Sequence, residues 1–203
     1  MRERLVGRGR SSRPRGDTLT LRANAFPVVR CRPVASPLVS ETVVKVGVLG
    51  CGNVGAALVQ LITERGDEIA GRTGVRLEVA RVAVRSLSRT RPIHLADHIL
   101  TRDAADVVAD PEVDVVVEVI GGIEPARELI LTALAAGKPV VTANKELLAN
   151  HGAELFAAAS AGGVDLLFEA AVAGGIPIMR PLRESLVGED VRRIMGIVNG
   201  TTN

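Results

Sequence analysis

The sequence predicts an α/β fold built on a doubly wound parallel sheet. Three observations point there. Short β-branched runs alternate with segments of helical spacing, the rhythm of βαβ units. Hydrophobic residues make up 47% of the 203 while aromatics make up 1%, so the core must be aliphatic, as buried parallel strands are. A glycine-rich stretch falls at the first junction between strand and helix.

The elements follow in order from residue 42. Residues 43–49 (VVKVGVL) form a first strand, and 54–70 a helix with Leu58, Leu61, Ile62 and Ile69 near helical spacing, closed by the glycines at 71 and 74. Residues 77–84 read as a second strand. Residues 86–110 are irregular, with a short helix near 103–109. Residues 113–120 (VDVVVEVI) make a strong buried strand, ending at Gly121 and Gly122. A helix over 125–136 has Pro125 in its first turn and Gly137 just past its end, the expected asymmetry. A strand at 139–142 precedes two helical pieces, 145–150 and 153–161. A strand at 165–169, a helix at 177–187 and a strand-like run at 191–198 complete the list. Domains are expected at 41–175 and 176–203.

The first forty residues differ. They carry nine arginines against Glu3 and Asp17, a formal +7, whereas the remainder carries 16 basic and 21 acidic residues, −5. Rich in Arg, Gly, Pro and Ser and without periodicity, residues 1–40 read as a disordered tail. Pro14, Gly16 and Pro27 interrupt any amphipathic transit-peptide helix. The scarcity of aromatics argues against single-stranded nucleic acid as a partner. No run approaches ~20 apolar residues, so no membrane span is expected. Cys31 and Cys51 lack metal or disulfide spacing and read as reduced thiols of a cytoplasmic protein. His94, His98 and His151 are scattered and read as surface residues.

Residues 50–55 (GCGNVG) spell G-x-G-x-x-G between a strand and a helix, the context a dinucleotide loop of the Rossmann type requires. Gly50 serves the tight turn, Gly52 lets a pyrophosphate approach, and Gly55 lets helix pack on strand. With Asn53 and Val54 they open a helix whose free N–H groups suit phosphate. Cys51 reads as a small filler. The second strand is followed by Arg85 rather than an acid. An acid there would bind the ribose hydroxyl of NAD; an arginine accommodates the 2′-phosphate of NADP. NADP is therefore the expected cofactor and NAD the alternative, with Arg81 and Arg89 as rivals of Arg85.

Four segments carry a more specific signal: DVVVEVIGG at 114–122, GKPVVTANKELLA at 137–149, FEAAVAGGIP at 168–177 and GIVNGTTN at 196–203. In this order and spacing the chain resembles homoserine dehydrogenase over residues 43–203. The resemblance implies reversible NAD(P)H-dependent reduction of L-aspartate 4-semialdehyde to L-homoserine, on the route to threonine, methionine and isoleucine. It implies a Rossmann domain, then the beginning of an α+β catalytic and dimerisation domain, and a homodimer. Gly121 joins the cofactor-binding set. Lys145 matches the family's lysine at the nicotinamide and substrate pocket, where a cation or proton donor stabilises the alkoxide formed by hydride addition. A lysine is electrostatically misplaced at a helix N-terminus, which favours a functional role. Glu169, Val172, Gly174 and Ile176 match a site for sodium or another monovalent cation, held mostly by backbone carbonyls. Glu118 has no role beyond a polar contact near the cofactor. The family's principal catalytic lysine and substrate-binding acids are expected beyond Asn203.

Two other readings bear comparison. An aspartate-semialdehyde dehydrogenase needs a nucleophilic cysteine well downstream of the glycine loop, and no cysteine follows Cys51. A non-catalytic nucleotide sensor would use residues 50–55 and leave Lys145 idle.

Overall fold

The computed structural model describes residues 41–88, 91, 93 and 95–196. The expected tail, Cys31, Arg89, His94 and most of the terminal GIVNGTTN segment lie outside these. The described residues form a six-stranded parallel sheet in the order β3-β2-β1-β4-β5-β6. The strands are β1 (Thr42–Leu49), β2 (Val75–Ala83), β3 (Leu100–Thr101), β4 (Val115–Glu118), β5 (Val140–Thr142) and β6 (Leu166–Leu167). The helices are α1 (Asn53–Thr73), α2 (Ala104–Ala109), α3 (Ala126–Ala135) and α4 (Lys145–Gly162). From β1 the chain steps outward through β2 and β3, then returns to lay β4, β5 and β6 on the other side. That reversal is the Rossmann topology, and it opens a crevice at the carboxyl ends of β1 and β4.

Strand β1 is central because both of its faces are apolar. Val46 and Val48 pack with Val59 and Ile62 of α1 and with Val82. Leu49 belongs to the larger cluster with Val116, Ile130, Leu134, Leu147 and Leu155, under α3 and α4. Each such side chain contributes about 1.5–3 kcal/mol on burial. Gly47 shows how tightly the second face is packed. A Cβ there would lie 2.6 Å from Val107 and 2.8 Å from Val113, so its absence lets α2 close on the strand. The register of β1 against β2 shifts at the same point, between Val46 and Gly47. The only aromatic pair among the described residues, Phe156 and Phe168, stands edge to face at the rim with centroids 5.3 Å apart.

Several elements depart from expectation. The break read at residues 151–152 is absent: α4 runs unbroken, with Gly152 buried inside it. Gly152 weakens helix propensity, but apolar contacts on both sides override it, Leu147 and Leu155 being fully buried. Strand β3 appears within the stretch read as irregular; two residues are too few to give a periodic signal. The expected strand at 165–169 contracts to Leu166–Leu167, because Glu169 turns into a short 3-10 helix (Glu169–Ala171). The helix expected at 177–187 shortens to residues 179–185 and widens over Pro181–Ser185, closed by the Leu186 N–H donating to the Pro181 carbonyl. Residues 191–196 form no strand: no neighbouring strand pairs with them, and Ile194 and Met195 are 69% and 82% exposed. Residues 197–198 of that expected strand lie outside the described ones. Among the described residues no helix is long and apolar enough to cross a membrane.

The uninterrupted α4 has a direct test. A Cβ on Gly152 would meet only the Phe156 ring, at an ordinary 3.6 Å. Gly152→Ala should therefore stabilise the fold by about 1 kcal/mol, raising Tm by roughly 2–4 °C. A fall in Tm in a thermal melt would mean that the helix breaks there.

Candidate functional site

The glycine loop joins β1 to α1 at the crevice. Gly50 has φ +102°, a conformation that side chains disfavour, and its N–H donates to the Ala83 carbonyl at 3.1 Å. A Cβ on Gly55 would collide with the Gly50 carbonyl oxygen, so this glycine lets the helix start against the turn. Gly52 is the opposite case: a Cβ there would meet nothing within 4 Å, leaving its backbone open to an incoming group. No side chain caps α1, and no acid lies in its first turn. The N–H groups of Asn53, Val54 and Gly55 and the positive end of the helix dipole are thus available to an anion.

Beside the loop is a cleft of about 440 Å³, lined by Gly50, Gly52, Arg85, Arg91, Arg102 and Ile120 among others. Arg85 leaves the end of β2 exposed and at the cleft, as expected. Arg81 is no longer a rival, because its guanidinium donates to Asp110 at 2.8 Å. Two arginines that the sequence reading missed share the cleft. Arg102 follows β3, just before Asp103 caps α2 with a 2.9 Å bond from the Ala105 N–H. Finding it required β3. Arg91 comes from the loop after β2 and donates to the Ser86 carbonyl. Burial pushes the Cys51 thiol up, with Arg91 partly opposing, which keeps it a thiol and fits the reading as filler.

The other half of the crevice is built around Glu118, which has no exposed surface. Its Oε1 accepts from the N–H groups of Ile120 (2.8 Å) and Gly121 (3.1 Å). Its Oε2 accepts from the Thr142 hydroxyl at 2.6 Å. Thr142 Oγ1 accepts in turn from the Asn144 N–H at 3.0 Å. The Asn144 amide donates to the Gly122 carbonyl at 2.6 Å, and its oxygen caps α4 by accepting from the Leu147 N–H at 3.1 Å. Lys145 is the first residue of α4, exposed, with no ion pair among the described residues. Its position at the carboxyl edge of β5 places it on the side of the sheet where the glycine loop lies.

After β6 the chain turns at Glu169. The Glu169 carboxylate accepts from the N–H groups of Ile178 (2.5 Å), Met179 (2.9 Å) and Arg180 (2.9 Å). Burial raises its pKa, but the three donors outweigh that and hold the group below the usual carboxylate range. This cap is therefore complete at neutral pH and is lost only as pH falls through the depressed value. Its side chain is committed to the backbone. Ala173 and Gly174 both have positive φ, and the Ile176 N–H donates to the Ala173 carbonyl at 3.3 Å. Among the described backbone bonds the Val172, Gly174 and Ile176 carbonyls accept none. No cluster of three His, Cys, Asp or Glu side chains able to hold a metal occurs among the described residues. His98 is exposed, and His151 lies 3.5 Å from Glu154.

The family model described as homoserine dehydrogenase, NAD binding domain, matches residues 50–169, more than half of the chain. The chain belongs to the homoserine dehydrogenase family. A homoserine dehydrogenase of Corynebacterium glutamicum is 55% identical over 160 residues, covering 79% of this chain and 36% of the relative. That of Bacillus subtilis is 46% identical over 160 residues, covering 79% and 37%. The chain thus spans about a third of the length of these curated relatives. Among solved structures, a homoserine dehydrogenase from Thiobacillus denitrificans superposes with a TM-score of 0.65 at 49% identity, over 72% of this chain and 34% of that one. A hyperthermophilic archaeal homoserine dehydrogenase in complex with NADPH superposes with a TM-score of 0.60 at 28% identity, over 72% and 50%. The matched region contains the glycine loop, Arg85, Glu118 and Lys145.

The second and third glycines of the loop should behave differently in a melt. Gly55→Ala forces backbone apart and should cost about 1–3 kcal/mol. Gly52→Ala meets no neighbour and should stay within about 0.5 kcal/mol of the parent. Equal losses of Tm would contradict the geometry of the loop.

Proposed function

We propose that this chain binds NADP, with NAD as the alternative, as the nucleotide-binding part of a homoserine dehydrogenase. The whole enzyme reduces L-aspartate 4-semialdehyde to L-homoserine reversibly, serving the synthesis of threonine, methionine and isoleucine. The uncapped N-terminus of α1 facing the crevice, beside the arginines of the cleft, carries this reading. The nucleotide's part is to supply or accept a hydride. The pyrophosphate is held by the N–H groups that follow Gly52, including those of Asn53, Val54 and Gly55. Arg85 takes the 2′-phosphate, and an arginine's planar fork suits a phosphate bidentately. Gly121 offers backbone to the nicotinamide half. Lys145 sits where positive charge stabilises the alkoxide oxygen that develops on the substrate.

The carbonyls of Val172, Gly174 and Ile176, with the backbone of Glu169, would hold sodium or another monovalent cation. Hard oxygen donors suit such an ion, and three of these carbonyls have no competing backbone donor among the described residues. A cation there would brace the segment leading from the nucleotide domain (41–175) into the next (176–203). We also propose that the intact protein is cytoplasmic and homodimeric, its partners being its substrate and product rather than nucleic acid or a membrane.

Calorimetric titration of the chain with NADPH and NADH tests the nucleotide reading. A charge-assisted contact contributes about 1.5–3 kcal/mol, equivalent to roughly 10- to 100-fold in affinity. Arg85→Ala should weaken NADPH by that factor and leave NADH nearly unchanged. Equal losses for both would refute the role of Arg85, and no binding of either would refute the function. In the intact protein, coupling between NADPH and homoserine distinguishes an enzyme's site from a pure sensor, which shows none.

A further inference from the structure

We infer that Asn144 is a positioning residue that fixes the backbone floor under the nicotinamide half of the site and, in the same act, the start of the helix bearing Lys145. This rests on the nucleotide reading above.

Asn144 is 5% exposed, and its side chain is already engaged: the amide donates to Gly122 and the oxygen accepts from Leu147. It therefore acts through what it holds. It holds two things at once, the loop after β4 and the first turn of α4. The loop needs holding. Gly121 and Gly122 have φ of +79° and +75°, and a Cβ on either would meet nothing within 4 Å. Two consecutive glycines with open space above them have wide conformational freedom in isolation. Here the pair is tethered on both sides, Gly121 through its N–H to Glu118 and Gly122 through its carbonyl to Asn144. The tethers share one chain of bonds, because Thr142 links Glu118 to the Asn144 backbone. The result is a backbone surface free of side chains at the ends of β4 and β5. Arg85 follows β2, on the other side of β1 in the sheet. A dinucleotide lying across the switch point with its 2′-phosphate at Arg85 directs its far end to this surface.

The test separates the two halves of the nucleotide. Asn144→Asp keeps an oxygen for the Leu147 N–H, and Asp caps a helix as well as Asn does, but it cannot donate to Gly122. Thr142→Val removes the link to Glu118, and Thr142→Ser restores the hydroxyl. The probes are NADPH and adenosine 2′,5′-bisphosphate, which lacks the nicotinamide half. With the full 203-residue chain, Asn144→Asp and Thr142→Val should each weaken NADPH about five- to tenfold, as expected for one lost hydrogen bond. Both should leave the bisphosphate within about twofold, and Thr142→Ser should recover NADPH binding. Equal loss of both probes, or unchanged NADPH affinity in either variant, overturns the positioning role. A parent chain that binds neither probe overturns the nucleotide reading, and this inference with it.

Discussion

A carboxylate without exposed surface is held at the end of β4 only because every direction around it offers a donor. Glu118 receives two backbone N–H groups from the turn that follows it and a hydroxyl from the neighbouring strand. An unpaired buried charge would cost several kcal/mol, so the turn and the strand cannot move independently of it. The carboxyl edge of the sheet is therefore shaped from within. Its backbone carbonyl adds a further bond, accepting from the Ala143 N–H at 3.2 Å. Strand β4, its turn, strand β5 and the start of α4 thus form one hydrogen-bonded unit.

The crevice divides around this unit. On the β1–β2 side the crevice presents bare backbone and positive charge: an uncapped helix, an open glycine and three arginines. On the β4–β5 side it presents backbone and the exposed Lys145 at the start of α4, supported by buried side chains. Phosphate is recognised through charge, which tolerates some motion. A reacting ring must be placed within fractions of an ångström, and the denser bonding lies on that side.

The fold was readable in the sequence where a strong period met a clear terminator. The valine-rich runs of β1 and β4 and the glycine loop lie where they were expected. What failed was short or depended on partners. Strand β3 has two residues, and without it Arg102 had no structural address. Residues 191–196 carry strand-forming side chains, but a strand is made by the neighbour that pairs with it. Glu118 was seen at a strand's end but given little weight, because the chain of bonds through Thr142 and Asn144 exists only after β4 and β5 are adjacent. The Glu169 side chain caps a turn nine residues further on, a contact no local pattern reveals.

Hydrogen exchange on Glu118→Ala tests the central role of this carboxylate most directly. Removing it leaves the Ile120 and Gly121 N–H groups and the Thr142 hydroxyl without their acceptor, each worth about 1–3 kcal/mol if unsatisfied. Local opening should then expose the amides of Ile120, Gly121 and Asn144, lowering their protection about tenfold or more, while those of Val46 and Val82 in β1 and β2 keep theirs. Unchanged protection at the first three, or an equal fall across the whole sheet, would show that Glu118 does not organise this edge.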